Sequence, residues 1–223
     1  MGRPVNLSPT ISVQYIGINK VIKNTYMLLS ATLLFSSFTA TIAVITNAKP
    51  IGLFTLLVYF GLFYVVNSLR NSIYGIPAIF TLTGFMGYTL GPILNSVMQV
   101  LSNGGEIVAA SLGLTGAIFF TLSWYAMTTK KDFSYLGGFL FAGITIAFIA
   151  SLIGMFFQIP ALHLVISSAF ILISAGYILF ETSRIIHGGE RNYVMATLAL
   201  YIHIFNLFIS LLHLLSIFAG KRR

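Results

Sequence analysis

No cysteine occurs anywhere in the chain. Disulfides, thiolate metal sites and thiol nucleophiles are therefore excluded. Charge is nearly as scarce: four acids and twelve bases make up 7% of 223 residues, where soluble domains carry about 25%. So few charges do not cover the surface of a soluble domain. Only six prolines break the chain. Apolar residues fill the space that charge leaves, at 57% of the chain with a mean hydropathy of +0.96. That excess excludes disorder. The composition is that of a multi-pass membrane protein whose one domain sits in the lipid bilayer.

The net charge of +8 does not point to nucleic acid. The bases stand at the ends of apolar runs rather than in a patch, as the positive-inside rule requires. The charge-free intervals run Lys23–Lys49, Lys49–Arg70, Arg70–Glu106, Glu106–Lys130, Asp132–Glu181 and Arg191–Lys221. A spanning helix needs about 20 apolar residues. The Asp132–Glu181 interval is long enough for two, with the break at Gln158-Ile159-Pro160, where proline removes a donor and disfavours helix before it. Ser102-Asn103-Gly104-Gly105 reads as a loop. The expectation is an all-α bundle of seven transmembrane helices, at about 25–46, 51–69, 76–100, 107–127, 134–157, 161–184 and 193–218. The seventh is expected to be central, because it carries His203 and Asn206 amid apolar neighbours and polar groups in a span face protein.

With the N-terminus inside, the inner segments hold Arg3, Lys20, Lys23, Arg70, Lys130, Lys131, Arg184 and Arg191. The outer segments hold Lys49, Lys221, Arg222 and Arg223. The expected orientation is N-terminus cytoplasmic and C-terminus outside. Residues 1–24 are polar, with no periodic apolar face, and read as a flexible cytosolic tail before a transmembrane domain over 25–219. Residues 220–223 form a short basic tail. Gly84, Gly87 and Gly91 recur at helical spacing, which allows close helix approach, within the bundle or between two copies.

Ionisable groups inside a span are functional candidates by default. Folding the sixth and seventh helices into a hairpin places Glu181 opposite Ala199. His203 then lies one turn, about 6 Å, deeper, and Asn206 shares its face. Glu181 and His203 form a candidate pH-sensing or gating pair, neutral or ionic, separated by one proton transfer. Arg70 is a candidate third member. The other reading has Glu181 reaching the interface and His203 bonding a backbone carbonyl. His163 and His213 are placed at the outer interface. Metal-ligand spacing, a nucleophile elbow, a Walker loop and a dinucleotide fingerprint are all missing, so no metal, cofactor or catalytic residue is expected.

Three stretches carry a resemblance. Thr83-Gly84-Phe85-Met86-Gly87-Tyr88-Thr89-Leu90-Gly91-Pro92-Ile93, the run Leu179 to Tyr193, and Leu200-Tyr201-Ile202-His203-Ile204-Phe205-Asn206 resemble the third-, sixth- and seventh-helix motifs of the Bax inhibitor 1 family. Thr128-Thr129-Lys130-Lys131-Asp132, Leu136-Gly137-Gly138, Pro160-Ala161-Leu162-His163 and the His187-Gly188-Gly189-Glu190 turn resemble its bacterial YccA-type subgroup. The family resemblance implies a pH-sensitive calcium leak where two aspartates face each other in helices six and seven. Those positions are Glu181 and His203 here, so the carboxylate pair is replaced. The subgroup resemblance implies an inner-membrane substrate and modulator of the membrane-anchored AAA protease FtsH, engaged through its N-terminal tail. In this chain that tail is Met1 to Lys23, with the charges of Arg3, Lys20 and Lys23. The first expectation is the protease modulator, not an enzyme; the alternative is a leak for calcium, protons or other cations.

Overall fold

The computed structural model describes residues 9–156 and 160–220. Seven helices follow one another: α1 (Pro9–Ile45), α2 (Phe54–Leu69), α3 (Gly75–Val100), α4 (Gly104–Thr129), α5 (Leu136–Phe156), α6 (Pro160–Ile186) and α7 (Tyr193–Gly220). No strand occurs among the described residues. Six of the helices are long and apolar enough to cross a membrane. α2, with 16 residues, is about 24 Å long against a hydrocarbon core of about 30 Å. A short span is accommodated by local thinning and by its flanking residues.

Two sets of contacts define the ends of the bundle. At one end the loops after α2, α4 and α6 meet. Asn192 Nδ2 donates to Arg70 O at 2.9 Å and to Asn71 Oδ1 at 2.8 Å. The amide of Phe133 donates to Ser183 Oγ at 3.0 Å. At the other end Asn95 of α3 reaches back to the end of α1, donating to Val44 O at 3.2 Å. The loop 101–103 and the last turns of α7 share a surface depression there. α2 therefore runs from one end to the other, and all seven helices traverse the bundle. Lys20, Lys23, Arg70, Lys130, Lys131, Arg184 and Arg191 gather at the first end.

α7 is the central helix. It packs on α1, α3, α4 and α6 and contributes buried residues from Val194 to Leu212. At mid-depth Tyr201 ties three helices together. Its hydroxyl pairs with Ser36 Oγ of α1 at 2.5 Å and donates to Thr83 O of α3 at 3.2 Å. The glycine spacing of α3 serves packing within this one bundle. A Cβ on Gly87 would overlap the backbone oxygen of Ser36, one on Gly91 would overlap Ala43, and one on Gly84 would meet the Phe35 ring at 2.5 Å. These small residues let the α1 and α3 backbones approach.

The first helix departs from expectation. It begins at Pro9 rather than near residue 25, so residues 9–24 of the expected flexible tail are helical. Proline is favoured in the first turn, no further proline follows until Pro50, and extending an existing helix needs no new nucleus. Pro160 opens α6 for the same reason; Gln158 and Ile159 of the expected break lie outside the described residues. So do Met1, Arg3 and the basic end of the chain, Lys221 to Arg223.

Candidate functional site

The α6–α7 turn is built from short-range chemistry. Asn192 caps α7: its Oδ1 accepts from the amides of Val194 and Met195, both at 3.0 Å. Asparagine is among the best residues at that position. Gly188 takes φ +73°, and the amide of Gly189 returns to Arg184 O at 2.8 Å, closing the end of α6 as glycine permits. Glu190 Oε1 accepts from the Asn192 amide at 2.8 Å.

This turn is pinned to the α4–α5 loop. Ser183 Oγ, besides accepting from Phe133, donates to Lys131 O at 3.2 Å. His187 lies between two backbone carbonyls: Nδ1 is 2.9 Å from Ser183 O and Nε2 is 3.0 Å from Lys130 O. Lys130 ends α4 with φ +51°. In the same loop Asp132 Oδ1 accepts from the Ser134 amide at 2.9 Å. Hydrogen bonds from Ser134, and more weakly the positive potential of His187, hold the Asp132 carboxyl below its usual value.

Glu181 is buried, one turn inside this end. Both carboxylate oxygens accept from Arg184 Nη1 at 3.1 Å. Arg184 also approaches Glu190, 3.7 Å away, and lies 5.6 Å from the Phe180 ring centre. His203 is buried on α7 and stacks on Tyr177 of α6, rings 4.3 Å apart and 4° from parallel. Its Nδ1 has no hydrogen-bond partner among the described residues.

The structure thus does not join Glu181 to His203. Tyr177 precedes Glu181 by one turn on the same face of α6, and its ring fills the level at which His203 arrives. Arg70 is not the partner of Glu181 either. Its guanidinium turns to Asn67 Oδ1 at 3.3 Å, and Arg184 takes the place, three residues along the same helix. Asn206 is half-buried and its side chain forms no hydrogen bond among the described residues. Lys20 and Lys23 are exposed on α1. His163 and His213 lie together on α6 and α7, ring centres 6.1 Å apart, with Ser167 Oγ 2.7 Å from His213 Nδ1. Sequence reasoning missed Arg184, Ser183, Tyr177 and Asn192. The Glu181–Arg184 spacing carries a readable signal, since residues three apart face each other on a helix. A carboxylate held on both oxygens by a guanidinium is neither a free base nor a free metal ligand; its local work is to fix the end of α6.

Residues 18–220 match the family model described as "Inhibitor of apoptosis-promoting Bax1". The chain belongs to this Bax inhibitor family. Among similar proteins, the "Modulator of FtsH protease YccA" of Escherichia coli K12 is 48% identical over 204 residues, covering 91% of this chain and 92% of that protein. An uncharacterized protein of Pseudomonas aeruginosa is also 48% identical over 204 residues, 91% of each chain. An uncharacterized membrane protein of Vibrio cholerae is 46% identical over 201 residues, 89% of this chain and 90% of its own. The Bax inhibitor relatives thus match over about nine-tenths of their length, and the family match takes in the α6–α7 turn as well as the apolar spans.

Proposed function

We propose that this Bax inhibitor family member is a non-enzymatic modulator of an FtsH-type protease in a bacterial inner membrane. The observation that carries the reading is the 48% identity with the YccA modulator over nine-tenths of both chains. In this reading the N-terminus is cytoplasmic and the C-terminus periplasmic, because the loop-rich end of the bundle collects Lys20, Lys23, Arg70, Lys130, Lys131, Arg184 and Arg191, as a cytoplasmic face does. Residues 1–24, with Met1, Arg3, Lys20 and Lys23, are the segment that the protease engages; 25–219 form the membrane anchor and 220–223 a basic periplasmic end. Because residues 9–24 are helical, engagement includes unwinding the start of α1. A bundle knitted across its helices by Tyr201 resists extraction, which makes the chain a slow, occupying substrate.

Affinity purification of the tagged chain from native membranes tests this reading. An FtsH-type protease should co-purify, and should stay bound after deletion of residues 4–12, because a bound chain that cannot be pulled in is not released. Recovery without any membrane protease overturns it. A reporter active only outside the membrane tests the orientation: fused after Arg223 it should be active, and fused after Lys131 inactive.

One observation favours a second reading, a pH-sensitive cation leak. His203 is a buried imidazole whose Nδ1 has no hydrogen-bond partner among the described residues, and it stands with Glu181 at the positions of the family's facing aspartates. Against it, Arg184 already occupies both oxygens of Glu181, and calcium prefers several oxygen ligands. Proteoliposomes should therefore show no calcium uptake; uptake that changes between about pH 6 and 8 and is lost in Glu181→Gln would replace the modulator reading.

A further inference from the structure

α1 and α4 both pack on α7 and α3, yet a cleft of about 510 Å³ separates them. Its floor is Tyr201, Ile204 and Phe205 of α7 with Leu90 and Leu94 of α3. Its rim includes Leu112 and Phe120 of α4, 54% and 70% exposed, so the mouth faces outward, into the layer the helices span. Three of the hydroxyls along its walls have already spent their donors on their own helices. Ser30 donates to Tyr26 O at 2.9 Å, Thr41 to Ser37 O at 2.9 Å and Thr115 to Ser111 O at 2.7 Å. What they present to the cleft is mostly hydrocarbon, so an apolar occupant suits the walls better than a polar one.

Size and length narrow the occupant. A cavity of about 150 Å³ holds benzene, or about 25 Å³ per carbon. The cleft then admits a chain of roughly twenty carbons, somewhat more than the sixteen to eighteen of a common acyl chain. From Tyr26 to Val44 the α1 wall runs for about 27 Å, long enough for such a chain to lie extended. The end of the cleft nearest the basic loops carries a cation. Lys23 is exposed and has no ion pair among the described residues. It stands about five whole turns before Thr41, on the same stripe of α1 that lines the cleft. Basic residues between helices at that level recognise anionic headgroups.

We infer that the α1–α4 cleft holds one acyl chain of an anionic phospholipid, with the lipid phosphate at Lys23. The site is separate from the α6–α7 turn and does not depend on the protease reading. The lipid is seated by the space that α1 and α4 leave between them, and the headgroup charge selects which bilayer lipid stays.

The test uses the full chain in phosphatidylcholine vesicles. These carry a trace of phosphatidylglycerol, or of phosphatidylcholine, with a photoactivatable group midway along one acyl chain. Crosslinks are mapped to peptides. The phosphatidylglycerol probe should label the α1 and α4 peptides about fivefold more than the phosphatidylcholine probe, the factor that one lysine near a headgroup supplies. Lys23→Glu should abolish that preference. Gly116→Phe should remove labelling of the cleft peptides with either probe, since a Cβ at Gly116 meets nothing within 4 Å and the ring enters the cleft. Equal labelling by both probes in the unaltered chain overturns the headgroup assignment. Labelling that survives Gly116→Phe in a chain of unchanged melting temperature overturns the acyl site. Should Gly116→Phe not fold, excess unlabelled phosphatidylglycerol replaces it: failure to compete overturns the site. Competition by palmitate at lower concentration than phosphatidylglycerol assigns the cleft to a free fatty acid and overturns the phospholipid.

Discussion

Replacing Gly87 with alanine tests the packing that holds the bundle together. A Cβ there would overlap the backbone oxygen of Ser36, with Thr39 Oγ1 and Ser36 Oγ also too close. A backbone oxygen cannot turn aside, so α1 and α3 must part. Overpacking of this kind costs about 1–3 kcal/mol. Separation also strains the Ser36–Tyr201 hydrogen bond at 2.5 Å, and interhelical hydrogen bonds in membranes contribute about 0.6–1.7 kcal/mol. Alanine's better helix propensity offsets at most about 1 kcal/mol. The balance is a destabilisation of about 2 kcal/mol, or roughly 4–8 °C in melting temperature for a chain of this size. Gly113→Ala on α4 is the matched control. Its Cβ meets nothing within 4 Å, so only the propensity gain remains and the melting temperature should hold or rise slightly. The assay is thermal unfolding of both variants in one detergent. Equal shifts in Gly87→Ala and Gly113→Ala would refute the assignment of Gly87 to a close α1–α3 contact.

Glu181→Gln and Arg184→Gln should each lower the melting temperature, Arg184→Gln more, because it strands a buried carboxylate; uncompensated buried charges cost about 3–5 kcal/mol in soluble cores, less where the group neutralises at about 1.4 kcal/mol per pKa unit. The double variant should cost less than the sum, and strict additivity would dissolve the pair. His203→Leu combined with Glu181→Gln should be additive, since Tyr177 stands between them; coupling above about 0.5 kcal/mol would restore the direct pair. Ser183→Ala frees the Phe133 amide and the Lys131 carbonyl, so amide exchange in 130–135 should rise while α7 stays protected. Asp132 has a folded carboxyl value below its unfolded one of about 3.9, so its contribution is present above pH 4 and is lost as pH falls through the folded value. In Asp132→Asn that acid-side loss should vanish from the melting profile.

The seven helices are legible because charge is so rare that its gaps delimit spans, and the central place of α7 follows from the cost of His203 and Asn206 in lipid. The start of α1 is not legible: residues 9–24 have no apolar period, and their helix continues one nucleated further along. The site is half legible. Hairpin arithmetic sets the depth of Glu181 and His203 but not the rotation of each helix about its axis, and rotation decides that Arg184 and Tyr177, rather than His203, meet Glu181. Glycine spacing on α3 signals close approach without naming α1 as the partner. The α1–α4 cleft leaves no trace in the sequence, because it arises from two helices that pack on shared neighbours and stay apart.

Occupation of an FtsH-type protease through the N-terminal segment, as proposed, is read most directly by reconstituted degradation. Purified protease is placed in vesicles with a separate labelled membrane substrate, and the chain is added in excess. Degradation of the substrate should slow, and slow further with the variant lacking residues 4–12, which should itself be degraded more slowly than the full chain. An unchanged rate in the presence of the full chain, with the deletion degraded as fast as the full chain, would contradict the account.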